Sequence, residues 1–162
     1  MKIRTGIGFD IHRLVEKRPL YLGGVVIPYH KGLLGHSDGD CLIHAIIDAL
    51  LGAMGEKDIG QRFPDADIRF KNIRSTLLLG RVAEMMFEEG KARIGNIDSV
   101  VIAEKPRLAP HIPKMKDVLC NILGLAAEDL GIKASSHEGI GPLGREEAIA
   151  AWANVLIFLE EN

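Results

Sequence analysis

The 162 residues carry 20 basic and 22 acidic side chains, a formal charge of −2, with 47% apolar and 26% charged residues. That balance excludes general disorder, which needs low hydrophobicity and high net charge, and it offers no polycationic surface to nucleic acid or an anionic membrane. The length fits a single domain over 1–162, and no apolar run approaches the roughly 18 residues of a membrane span. Cys41 and Cys120 lack CxxC spacing, so neither a disulfide framework nor a cysteine-rich zinc knuckle is expected. The start, MKIRTGIGFD, moves straight into a strand pattern rather than a secretory leader. A cytoplasmic location is the expectation.

Ile3 to His12 reads as a strand with Ile3, Ile7, Phe9 and Ile11 as its β-prone apolar positions. Leu20–Leu22 and Val25–Ile27 flank Gly23-Gly24, which predicts a hairpin, and a glycine-punctuated loop follows from Lys31 to Gly39. Ser37 is placed to cap a helix with Asp40 in its first turn. Ile43, Ile46, Ile47, Leu50, Leu51 and Met54 recur at helical spacing before Gly55. A polar loop is predicted over Glu56–Arg74, a helix from Ser75 to near Gly90, a strand over Asn96–Ala103 and a helix over Ala109–Leu123. Ile132–Ser136 reads as a short strand leading into Gly139–Gly144. Glu147–Leu159 is ambiguous: its alanines favour helix, whereas its Val155–Leu159 run suits a buried strand.

Four of the six histidines, His12, His30, His36 and His44, fall in the first 44 residues. Asp10 and His12 are two apart on a strand, so both side chains share a face. Asp40, His44 and Asp48 are spaced by four and form a polar stripe on an apolar helix. A helix laid across the strand brings His44 to Asp10 and His12, giving one carboxylate and two imidazoles with a fourth position open, the pattern of many zinc sites. The bland alternative is a solvated polar face. His36-Ser37-Asp38-Gly39-Asp40 sits at a predicted helix N-terminus, where an anion is favoured; a simple cap and turn is the alternative. Asp58-Ile59-Gly60 and Phe63–Asp67 form an acidic loop of turn-forming residues. Ser135, Ser136 and Glu138 end a strand in a way that suits a diphosphate and its Mg²⁺.

GFDIHR, KGLLGHSDGD with His44 four residues on, DIGQRFPDAD, GNIDSVVIAEKP, PHIPKM and KASSHEGIG follow one another over essentially the whole chain. Together they resemble the 2-C-methyl-D-erythritol 2,4-cyclodiphosphate synthases. The resemblance implies an α+β fold, with a mixed β-sheet and helices on one side. It also implies a homotrimer whose sheets face the three-fold axis and whose active sites lie between subunits, and it makes the final segment a strand. By the same resemblance Asp10, His12 and His44 hold Zn²⁺, and Glu138 holds Mg²⁺ or Mn²⁺ with the substrate diphosphate. His36 and Ser136 act on the phosphates, and Ser37 contacts them. Asp58, Ile59, Gly60, Phe63, Pro64, Asp65, Ala66 and Asp67 hold the methylerythritol portion. The cytidine contacts fall on Ala103, Glu104, Lys105, Pro106, Arg107, Leu108 and Ala109 with Ala134 and Ser135. Arg145 matches a position of substrate contact or trimer assembly.

Some residues depart from the pattern. Ser135, Ser136 and His137 stand where threonines and no histidine are common; Pro142 stands for an aromatic near the trimer axis, and Arg107 for a lysine. The reaction implied is intramolecular phosphoryl transfer on a cytidine diphosphate substrate, with neither nucleic acid nor membrane as partner. A metal-dependent phosphohydrolase and a non-catalytic zinc-binding trimer are the competing readings.

Overall fold

A computed structural model describes residues 1–64, 66–87 and 92–159. Its main sheet comprises β1 (Lys2–Glu16), β4 (Lys31–Leu33), β5 (Ala92–Ile102), β6 (Leu130–Ser135) and β7 (Ala148–Leu159), in the order β4-β1-β7-β5-β6. Only the β5–β6 pair is parallel, so the sheet is mixed. The hairpin forms as expected from β2 (Leu20–Leu22) and β3 (Val25–Ile27). Three helices, α1 (Cys41–Met54), α3 (Ser75–Phe87) and α4 (Ile112–Leu123), build the helical layer; α2 (Ile59–Arg62) and α5 (Gly141–Gly144) are single turns. The fold is α+β, as the motifs imply.

Helix α1 is the centre of the core, buried on nearly every side from Cys41 to Ala53. It lies directly on β1 because that strand offers no side chain at two inward positions. A Cβ on Gly6 would sit 1.9 Å from the Ala49 carbonyl oxygen, and one on Gly8 would sit 1.9 Å from that of Ala45. The partner positions on β7 are Val155 and Ala153. Asp10 and His12 continue the inward face of Gly6 and Gly8, which delivers them to the same helix.

The structure corrects several local expectations. Asp40, not Ser37, caps α1: its carboxylate accepts from Ile43 N at 3.1 Å while also holding Gly23 N at 3.0 Å and Gly24 N at 2.7 Å. Ser37 instead accepts from Gly39 N within its own turn. Lys31–Gly39 is not all loop, since Lys31–Leu33 pairs with Leu14–Glu16. The Glu56–Arg74 stretch contains α2 and a 3₁₀ turn at Ile68–Phe70, and Ala109–His111 is a 3₁₀ turn preceding α4. Strand β5 begins at Ala92, ahead of the predicted Asn96, with a bulge between Ile94 and Asn96. The predicted helix end near Gly90 lies outside the described residues. Glu147–Leu159 resolves in favour of strand from Ala148. Its alanines are small because Ala151 and Ala153 lie under α1, so close packing overrides helix propensity.

Candidate active site

Asp10 and His12 project from β1 towards His44, which leaves α1 one turn after its cap. Asp10 Oδ2 is 2.9 Å from His44 Nδ1 and 2.8 Å from His12 Nε2, and the two imidazole nitrogens are 3.2 Å apart. Among the described residues this is the one cluster of three His, Cys or acidic groups tight enough to hold an ion, its donor atoms all lying within 4.8 Å of one another. One carboxylate oxygen and two imidazole nitrogens fit a divalent ion of the zinc type better than Mg²⁺ or Ca²⁺, which prefer oxygen shells. Burial alone would raise the Asp10 carboxyl, but hydrogen bonds from His12 and His44 outweigh it and hold the group well below the usual carboxylate range. Burial would lower His12; its bond and attraction to Asp10, with the Leu34 carbonyl 2.6 Å from Nδ1, raise it instead.

The cluster opens on a cleft of about 200 Å³ lined also by His36, Ser37, Ile59, Gly60 and Phe63. His36 Nε2 is buried there without a hydrogen-bond partner. Asp48, the third member of the polar stripe, does not join the cluster. It accepts from Ile59 N at 2.7 Å and so ties the α2 turn to the cleft wall. Asp40 is likewise taken up by its cap and the hairpin turn.

A second cleft, of about 260 Å³, is lined by Ala103, Glu104 and Pro106 to Ala109 together with Ala134, Ser135 and Ser136. It shares no lining residue with the first. The other expected site residues fall as follows. Lys105 faces Glu146 at 3.6 Å rather than the cleft. Asp58 caps α2 through Gln61 N, and Asp67 is engaged by Arg69. Pro64, Ala66 and Asp67 line neither cleft, and Asp65 lies outside the described residues. Glu138 is exposed, has a φ of 52°, and accepts from Ser136 Oγ at 3.2 Å. Arg145 pairs with Glu147 at 2.6 Å and lines neither cleft.

Sequence reasoning missed two groups behind His44. Its Nε2 lies 2.8 Å from Ser75 Oγ, and Ser75 in turn binds Asp38 through both its hydroxyl and its backbone N–H. Ser75 reads in the sequence only as a helix start, and nothing local pairs it with a loop 37 residues earlier.

Fold and site define an α+β protein with a divalent-metal-type centre between a sheet strand and its central helix. A model of the YgbB family matches residues 3–158, and the chain belongs to that family. The 2-C-methyl-D-erythritol 2,4-cyclodiphosphate synthase of Bacteroides fragilis is 52% identical over 157 residues, covering 97% of this chain and 98% of the relative. The family resemblance read from the motifs is thus borne out. Among solved structures, the bifunctional IspDF from Campylobacter jejuni is similar with a TM-score of 0.92 and 39% identity over 99% of this chain, which spans 43% of that longer protein. The Plasmodium falciparum IspF CDP complex is similar with a TM-score of 0.85 and 33% identity, covering 98% of this chain and 97% of that one.

Proposed function

We propose that this chain converts 4-diphosphocytidyl-2-C-methyl-D-erythritol 2-phosphate to 2-C-methyl-D-erythritol 2,4-cyclodiphosphate and CMP. The observation that carries the reading is the Asp10–His12–His44 cluster, open to a cleft that also holds the buried, unpartnered Nε2 of His36. The curated relatives named for this reaction, and the neighbour described with CDP, point the same way. Asp10, His12 and His44 would hold Zn²⁺, and Glu138, a single carboxylate beside Ser136, would hold Mg²⁺ or Mn²⁺ with the diphosphate. When bound, these ions polarise the phosphates and neutralise their charge.

An oxygen of the 2-phosphate attacks the β-phosphorus, closing the ring as the bond to the CMP oxygen breaks. The attacking phosphate is already ionised, so no protein base is needed. The chain's task is to hold two anionic ends together, a contribution worth up to roughly 7–11 kcal/mol in favourable intramolecular cases. Ile59, Gly60 and Phe63 wall the methylerythritol portion, and Ser37 and His36 meet its phosphate. Ser136 donates to charge developing on the diphosphate, and the second cleft takes the cytidine.

The active assembly is a cytoplasmic homotrimer with sites between subunits. Two observations support the assembly and its shared sites. Ile3, Ile7, Phe9, Ile11 and Trp152 form an exposed apolar sheet face on the side away from α1. The two clefts also share no lining residue within one chain, which supports a neighbouring subunit supplying the second half of each site.

The test is ³¹P NMR of the purified protein with this substrate, Zn²⁺ and Mg²⁺, alongside His44→Ala. Two coupled signals of a cyclic diphosphate plus CMP, abolished in the variant, are expected. Linear phosphates would replace this reading with hydrolysis, and a zinc-loaded protein without turnover would leave a binding protein.

A further inference from the structure

A histidine ligand has two ring nitrogens, and a metal can take only the one without a proton. At His44 the nitrogen facing Asp10 and His12 is Nδ1, so with an ion held there the ring's one hydrogen sits on Nε2. Nε2 points into a buried polar row: Ser75 Oγ at 2.8 Å, with Ser37 Oγ at 3.2 Å beside it. Ser75 is fully buried at the first position of α3, and Asp38 is buried behind it.

Asp38 fixes the direction of this row. Its Oδ2 accepts from Arg74 Nε at 3.1 Å and from Ser75 N at 3.0 Å, and its Oδ1 accepts from Asp40 N at 3.2 Å. These three partners can only donate, so both oxygens of Asp38 are acceptors. The hydroxyl of Ser75, which also contacts Oδ1, must therefore give its proton to Asp38. That leaves Ser75 Oγ only lone pairs to offer His44, and the ring must donate from Nε2. The proton order runs one way, from His44 to Ser75 to Asp38.

We propose that Ser75 is a positioning residue of the metal centre: oriented by Asp38, its hydroxyl accepts the His44 Nε2 proton and so presents unprotonated Nδ1 to the ion. The inference rests on the metal reading above and assigns the residues that set it up. It also explains why the loop holding His36 and Ser37 is fastened to α3: the same carboxylate orients the ligand and anchors the loop.

Two variants separate proton direction from packing. Ser75→Ala removes the acceptor but leaves Ser37 Oγ within reach of Nε2. Asp38→Asn keeps the shape of the side chain. With its carbonyl oxygen towards Arg74 Nε and Ser75 N, its amide nitrogen gives up the bond from Asp40 N and donates to Ser75 Oγ, which reverses the row so that Ser75 donates to His44. Zinc is titrated into metal-stripped protein against a chromophoric chelator. Affinity is expected to fall about 10-fold for Ser75→Ala and towards 100-fold for Asp38→Asn, the range of lost outer-shell partners. ¹⁵N NMR of the zinc-loaded unmodified protein is expected to show His44 bound through Nδ1 with its proton on Nε2. Zinc affinity within twofold of the unmodified protein in both variants would overturn the proposal. So would zinc on Nε2 in the NMR spectrum, which needs no variant to fold. Failure of the unmodified protein to bind zinc would overturn the metal reading itself, and this proposal with it.

Discussion

Asp10 faces two imidazoles with one oxygen, and this sets opposite pH demands on the empty and filled centre. Its carboxyl is held below its ordinary 3.8, so its stabilising effect is complete above about pH 4 and is lost as pH falls through the lowered value. His12 is held above its ordinary 6.5, so its contribution is complete below about pH 6.5 and is lost as pH rises through the raised value. In urea denaturation the metal-free protein should therefore exceed Asp10→Asn in stability most at about pH 5–6, with the gap shrinking as pH rises past about 6.5. Zinc binding runs the other way, since it must displace the His12 proton: affinity should climb from pH 6.5 upward, and a flat profile there would contradict the ion pair. This triad was legible in the sequence because strand and helix periods place Asp10 with His12 and set His44 on a helix face. Asp40 and Asp48 share that helical spacing, yet backbone N–H groups of the hairpin turn and of Ile59 claim them. Which carboxylate meets a ligand and which meets a backbone donor depends on contacts 11 to 17 residues away.

Between elements, the decisive contact is α1 against β1. Gly8→Ala would drive a Cβ into the Ala45 carbonyl, a backbone atom that cannot turn aside. We expect a loss of about 3 kcal/mol, the upper end of overpacking costs, together with weaker zinc binding as His44 is lifted from Asp10 and His12. Gly52→Ala is the control on the same helix. It meets nothing within 4 Å and should gain about 0.5–1 kcal/mol in the same denaturation experiment. Helix α1 was legible from its apolar spacing and its Gly55 stop. Its cap was not, because Ser37 and Asp40 are both good capping residues and the hairpin turn decides between them. Strand β4 was missed since three residues around Gly32 carry no periodic signal, whereas β7 was ambiguous because alanine serves both helix propensity and close packing.

Across the whole molecule, the sheet inverts a common pattern. Apolar Ile3, Ile7, Phe9 and Ile11 alternate with Arg4, Gly6, Gly8 and Asp10, which in isolation reads as an apolar core face and a solvent face. The structure puts the glycine and aspartate side under α1 and leaves the apolar side exposed, with Ile7 68% and Ile3 58% accessible. The strand was legible, and Asp10 with His12 marked the side that meets the helix; what the sequence does not say is that the helix needs the space glycine leaves. Under the trimer reading, sedimentation should give three times the 17.7 kDa chain mass. Ile7→Lys should yield a smaller species that still binds zinc but lacks cyclase activity; a fully active monomer would refute shared sites.

Phe9 and Trp152, paired across β1 and β7 with ring centroids 4.5 Å apart, give that apolar face a further property. Trp152 is the chain's single tryptophan, and it is 38% accessible. Every photon of indole emission therefore originates at the surface where subunits would meet. Dilution that separates them would wet the indole and shift its fluorescence to the red, so the unlabelled protein carries a built-in optical gauge of its own assembly.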